Sequence, residues 1–190
     1  MLLLVGLGNP GSNYTNTRHN IGFKIIDAIN LHFKLSKQKP KFKGLLTTGN
    51  IESKKIYAIK PLTFMNNSGT AIKELIDYFK IDAKDVFVFH DDMDIDFGKI
   101  KAKFGGSSAG HNGIDSIDKF IGKDYSRVRV GIGHPKKKKR VNNHVLEDFK
   151  DDEEEKIKEI TDSIVKLIPT LIDKKIDLFS SKVNQNLNGI

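Results

Sequence analysis

His19 is the residue from which a chemistry can be argued. It closes the stretch Gly6-Leu7-Gly8-Asn9-Pro10-Gly11-Ser12-Asn13-Tyr14-Thr15-Asn16-Thr17-Arg18-His19-Asn20, a run of turn formers between an apolar segment and a segment of helical spacing. Histidine is the side chain suited to general-base work near neutral pH. For that work it needs a partner that fixes its tautomer and stabilises the imidazolium. Asp91 is the natural candidate, because it follows the apolar run Val86-Phe87-Val88-Phe89 and so sits at the same kind of strand end as the Gly6 loop. Asn66 and Asn112 are loop amides, each after a strand and before a helix. Such amides bind a carbonyl or position a water, or else serve as Asx turns and helix caps.

Other readings of these residues carry less. Gly6-x-Gly8-x-x-Gly11 has the spacing of a dinucleotide fingerprint and follows a strand. Pro10 and the turn residues after it keep a helix from opening within the glycines, and the acidic residue expected about 20 positions on is missing. His90, Asp91, Asp92, Asp94 and Asp96 are of the types that bind Mg²⁺, Mn²⁺ or Zn²⁺. Packed into seven positions without a glycine turn, most of them point apart, and Asp92, Asp94 and Asp96 read as turn caps. His111 and His134 have no claim beyond a neighbouring glycine or proline. The run Lys136-Lys137-Lys138-Lys139-Arg140 is a solvated loop or, beside Lys101, Lys103 and Arg129, a phosphate contact.

The elements that must position His19 and Asp91 follow from periodicity. Leu2 to Leu7 is continuously apolar, as in a strand buried on both faces. Ile21, Ile25, Ile26, Ile29 and Phe33 predict a helix over 19–34. A Lys-rich linker surrounds Pro40, then a hairpin is expected from 42–51 and 55–60, and a helix over 70–80. Strands are expected at 86–89, 99–104 and 127–132, with a short helix at 114–121 between the last two. The segment 152–172 reads as a helix interrupted near Pro169, and 173–180 as a second one. The pattern predicts a single α/β domain over 1–182, with a mixed, mostly parallel twisted sheet flanked by helices on both faces. Residues 183–190 are expected to be a frayed tail.

Composition sets the outer bounds. The 190 residues hold no cysteine, which excludes disulfides and a thiol nucleophile and fits a reducing compartment. No apolar run approaches the roughly 20 residues of a membrane span. The N-terminal run lacks the basic flank of a signal peptide. The net charge of +8, from 32 basic and 24 acidic residues, favours a polyanionic partner.

Five linked motifs carry a resemblance to bacterial peptidyl-tRNA hydrolases. They are Asn9-Pro10-Gly11-x-x-Tyr14-x-x-Thr17-Arg18-His19-Asn20-x-Gly22, then Lys60-Pro61-x-Thr63-Phe64-Met65-Asn66-x-Ser68-Gly69, then His90-Asp91. Gly105-Gly106 through Gly110-His111-Asn112-Gly113 and Arg129-Val130-Gly131-Ile132-Gly133-His134-Pro135 complete the set, in the family's order over about the first 150 residues. The resemblance implies a cytoplasmic, monomeric α/β enzyme that needs no cofactor and no metal. Its reaction would be hydrolysis of the ester joining a peptide to the 3′ end of tRNA, with peptidyl-tRNA as partner and no membrane. By the same resemblance His19 activates water, Asp91 orients it, and Asn9 distinguishes N-blocked substrates. Tyr14, Phe64, Asn66 and Asn112 would line the cleft, and Lys103 and Arg129 would grip the tRNA. The sequence departs from the family in the run 136–140 and after residue 150. Two rival functions remain beside it: an RNA-binding protein of the same fold without hydrolysis, and a metal-dependent nuclease or phosphatase built on His90 to Asp96.

Overall fold

Strands buried on both faces carry unbroken apolar runs, and β1 (Leu2–Gly6), β4 (Lys54–Pro61), with its run Ile56 to Ile59, and β5 (Val86–Asp92), with its run Val86 to Phe89, form the middle of the sheet for that reason. The computed structural model describes residues 1–135 and 141–189. With β2 (Lys39–Lys41), β3 (Gly44–Ile51), β6 (Ile100–Phe104) and β7 (Ser126–Gly131), they give a seven-stranded sheet in the order β2-β3-β4-β1-β5-β7-β6. The four strands β4-β1-β5-β7 run parallel, while β2-β3, β3-β4 and β7-β6 pair antiparallel. The sheet is mixed, as expected, but parallel pairing does not dominate it: the parallel pairs are confined to the centre, and antiparallel pairs, equal in number, lie on both sides.

Strand alternation divides the interior into two cores. Leu2, Leu4, Phe87, Phe89, Val128 and Val130 face α1 (Ile21–His32), α5 (Asp151–Lys166), α6 (Ile168–Ile172) and α7 (Ile176–Asn188). Leu3, Val5, Val86 and Val88 face α2 (Ser68–Phe79) and α3 (Asn112–Ile121). Helices cover both faces. On the second face, however, β6 and β7 contribute no apolar side chain to the core: the alternating positions there are Lys101, Lys103, Arg127 and Arg129.

Three further expectations are corrected. The Lys-rich linker contains a short edge strand, β2, whose three residues are all exposed. The run 86–89 continues as a strand through Asp92, so His90, Asp91 and Asp92 occupy fixed strand positions rather than a loop. The tail does not begin at residue 183. α7 continues to Asn188 with Phe179 and Val183 buried, and it closes the free edge of β6. There Asn184 accepts the N–H of Ile100 at 3.0 Å and donates to its carbonyl at 2.9 Å, while Ser180 accepts the N–H of Ala102 at 2.7 Å. A strand edge needs partners for its N–H and C=O groups, and these two side chains, one helical turn apart, supply them. The basic run at 136–140 lies outside the described residues. Before it comes β7, and after it the short helix α4 (Val141–His144).

Candidate active site

α1 approaches the ends of β1 and β5 so closely that only glycine fits at Gly6 and Gly22. A Cβ on Gly6 would collide with the carbonyl of Gly22, and one on Gly22 with the backbone of Leu7 and Phe89. The first glycine of the apparent fingerprint thus serves helix–strand packing. This contact sets the one-turn helix Arg18–Asn20, which opens α1, directly over the end of β5. The turn is held from outside as well. Arg18 and His19 donate their backbone N–H groups to Glu147 and Val145 at 3.0 and 2.9 Å. The Arg18 side chain, only 3% exposed, pairs with Glu153 at 2.7 Å and stacks on Phe149.

In that position Nδ1 of His19 lies 2.8 and 3.0 Å from the two carboxylate oxygens of Asp91. Burial alone would raise the Asp91 carboxyl, but His19 and His111 outweigh it and hold the group far below the usual carboxylate range. An ionised carboxylate accepts only, so the network assigns the proton to Nδ1 of His19 and leaves Nε2 as a lone-pair acceptor. That is the tautomer a general base requires.

His111 makes a second contact to the same carboxylate. It is the N-cap of α3, and its Nδ1 accepts from the N–H groups of Gly113 and Ile114 at 3.1 and 3.3 Å. Its proton is therefore on Nε2, which donates to Oδ1 of Asp91 at 3.1 Å. His90 completes the cluster by donating Nδ1–H to the backbone carbonyl of Asp91 at 2.7 Å. Burial, then the neighbouring His111, holds the His90 imidazole well below the ordinary histidine value, so it is neutral.

The cleft at this point is walled by His19, Asp91, His111, Asn112 and Val145. Residues 3–189 match the sequence profile described as Peptidyl-tRNA hydrolase. The chain belongs to the peptidyl-tRNA hydrolase family. It is 71% identical over 184 residues to a peptidyl-tRNA hydrolase of Pelagibacter ubique, covering 97% of this chain and 99% of that one. It is 46% identical over 185 residues to one of Ehrlichia canis, covering 97% and 95%. The crystal structure of peptidyl-tRNA hydrolase from Acinetobacter baumannii superposes with a TM-score of 0.90 at 34% identity, covering 97% of this chain and 94% of that one.

The residues singled out by the family motifs fall into three groups. Asn112 stands in the cleft wall with His19 and Asp91. Asn9 is buried, and its backbone N–H and C=O are both bonded by the side chain of Asn20, at 2.8 and 2.9 Å. Its Oδ1 accepts the N–H of Met65 at 2.8 Å, which fixes the amide and reserves Nδ2 as the donor. Asn66 and Phe64 flank Met65 on the short turn before α2; both are exposed, Phe64 to 60%, and Tyr14 is half-buried. Neither they nor Asn9 belong to the immediate wall around His19. Lys103 and Arg129 lie apart on β6 and β7.

His111 and Arg18 are the site residues that the sequence reading passed over. Histidine is an uncommon helix cap, and its place before an amphipathic helix was the available signal. His19, Asp91 and His111 each bring one potential metal-ligating atom within 4.8 Å of the others. The nitrogens facing Asp91 are donors in the hydrogen-bond network, and a protonated ring nitrogen offers a metal no lone pair. Of the acidic run, Asp92 pairs with Arg129, Asp94 with His134 and Asp96 with Lys99, so among the described residues these carboxylates do not converge.

Proposed function

We propose that the chain hydrolyses the ester between peptide and tRNA in peptidyl-tRNA, freeing tRNA from stalled or prematurely released translation products. The observation that carries this reading is Nδ1 of His19 held by an ionised Asp91, which leaves Nε2 free to take a proton from water. His19 removes that proton as the water oxygen attacks the ester carbonyl, and Asp91 stabilises the imidazolium that forms. The oxyanion of the tetrahedral intermediate takes hydrogen bonds from side-chain amides, a role assigned to Asn112 at the positive end of α3 and, with movement of the turn before α2, to Asn66. Collapse breaks the bond to the ribose 3′ oxygen, which receives the proton from Nε2 of His19. The products are tRNA and a peptide acid. An ester's alkoxide leaves more easily than an amine, so one base and amide donors suffice without a covalent intermediate.

Substrate selection is assigned to Asn9, whose free Nδ2 donor suits the carbonyl of a peptide bond and repels an α-ammonium group. Tyr14 and Phe64 supply the rim against which the peptide end and terminal nucleotide pack. Lys103 and Arg129 grip phosphate. The support for that assignment is the basic face of β6 and β7, where the exposed Lys101 opposes the half-buried Arg129 and the half-buried Lys103 opposes the buried Arg127 in the ladder. Like charges directly opposite one another are unfavourable, and a polyanion relieves them. Every group invoked comes from one chain, which fits action as a monomer. Cytoplasmic action fits the substrate, and no helix among the described residues is long and apolar enough to cross a membrane.

The test is incubation with N-acetyl-aminoacyl-tRNA and with free aminoacyl-tRNA, with and without EDTA. Intact tRNA and the N-acetyl amino acid should be released from the blocked substrate in preference, at a rate the chelator leaves unchanged. Cutting of the RNA strand, or release only with added metal, would contradict the proposal.

A further inference from the structure

Asp91 and Asp92 are consecutive on β5 and therefore point to opposite faces of the sheet. Asp91 turns toward α1 and His19. Asp92 turns toward the basic face, where it is 8% exposed and spends both oxygens: Oδ1 accepts the N–H of Asp94 at 2.9 Å, and Oδ2 accepts Nε–H of Arg129 at 2.7 Å.

A carboxylate is out of place on a surface that binds phosphate, unless it does something that its charge alone does not. The four cations of this face differ in how they are held. Arg127 is fully buried, paired with Asp118 and with the carbonyl of Ser107, both at 2.8 Å, and stacked on Tyr125. It is a structural cation. Lys101 and Lys103 have no carboxylate partner among the described residues. Lys103 lies over Gly106, where a Cβ would collide with its ammonium group, so it sits at the start of the loop that leads to His111. Burial, then Arg129 and Arg127, lowers the Lys103 pKa, and Asp92 opposes that shift. Arg129 is intermediate. Its carboxylate contact is made through Nε alone, and its side chain is 18% exposed.

A guanidinium held at Nε has its plane fixed, while its two Nη nitrogens remain to form the fork that matches a phosphate. Resting on the peptidyl-tRNA reading, we propose that Asp92 is a positioning residue for tRNA recognition, aligning Arg129 beside Lys103 so that both meet the same stretch of phosphate backbone. The end of β5 then serves two tasks through adjacent carboxylates: Asp91 orients the base, and Asp92 orients the grip.

This proposal and simple electrostatics differ in sign. Removing a negative charge from a polyanion site strengthens binding if charge is all that matters. Removing the partner that aligns Arg129 weakens it. The test is steady-state hydrolysis of N-acetyl-aminoacyl-tRNA by Asp92→Asn, alone and combined with Arg129→Gln. One amide oxygen can serve Asp94 or Arg129, not both. The expected result is a KM raised about 3- to 10-fold with kcat within about twofold. Because Asp92 acts through Arg129, the KM effect should vanish in the Arg129→Gln background. A KM that is unchanged or lower, or a fall in kcat at constant KM, overturns the proposal. Should Asp92→Asn fold poorly, Arg129→Lys decides: a KM raised as far as in Arg129→Gln supports an aligned fork, and a wild-type KM contradicts it. Absence of turnover in the wild-type enzyme would fall on the function itself, whereas wild-type turnover with an unmoved KM in Asp92→Asn would fall on this assignment alone.

Discussion

One oxygen of Asp91 serves two histidines: Oδ1 accepts from Nδ1 of His19 at 2.8 Å and from Nε2 of His111 at 3.1 Å. The second bond comes from a ring whose centroid lies 4.9 Å from that of His19 and pins the same carboxylate oxygen, so His111 acts on His19 through Asp91. His111→Asn separates this role from capping, because asparagine caps α3 as well but lacks the reach to Asp91. Hydrogen bonds to charged groups contribute about 1.5–3 kcal/mol. The expected outcome is a kcat lowered about tenfold or more with KM close to wild type, and a Tm lowered by about 3–12 °C for the lost bond to the buried carboxylate. An unchanged kcat would make His111 a cap and nothing else.

The buried charges give stability a pH dependence of definite sign. His90 is neutral when folded because burial and His111 lower its pKa, whereas in the unfolded chain it takes a proton below about pH 6.5. The unfolded state then binds more protons, and stability falls as the pH drops from 7 to 5. Asp91 has its pKa lowered, so the stability it contributes is complete above about pH 4 and lost only below it; it adds no slope in the higher window. Thermal melts at pH 7.5 and 5.5 should show a lower Tm at the acid value, and His90→Gln should narrow the gap. The same gap in both proteins would remove His90 from the explanation.

α7 is a structural part of the sheet. Asn184→Ala would leave both the N–H and the C=O of Ile100 without their partner, at a cost of about 1–3 kcal/mol. For a domain of this size that lowers Tm by about 3–10 °C. Differential scanning calorimetry checks it, and a Tm within about 1 °C of wild type would mean that water replaces the side chain at no cost.

What the sequence disclosed and what it hid have the same physical origin. The central strands and α1 were readable because burial on both faces demands unbroken apolar runs, and α1 repeats Ile21, Ile25 and Ile29 at helical spacing. His19 and Asp91 could be paired because each stands where such a run ends. The expected helix at 173–180 stopped short of the end of α7 because its buried residues, Phe179 and Val183, are separated by polar ones that carry strand-edge hydrogen bonds instead of exposure. β2 escaped notice because a lysine-flanked proline on a three-residue edge leaves no hydrophobic period. His111 looked like a turn residue among glycines, since nothing in local sequence records that a loop will fold back onto Asp91. Asp92 looked like a turn cap, and it is one, but its other oxygen holds an arginine 37 residues away.

The most direct measurement is single-turnover release of N-acetyl amino acid from tRNA by wild type, His19→Ala and Asp91→Ala, in the presence of EDTA. General bases contribute about 10²- to 10⁴-fold, and His19→Ala should lose rate on that scale while still binding tRNA. Asp91→Ala should lose less, because it removes the orienting group and leaves the base in place. Retained activity in His19→Ala, or an equal or greater loss in Asp91→Ala, would show that the base has been wrongly assigned.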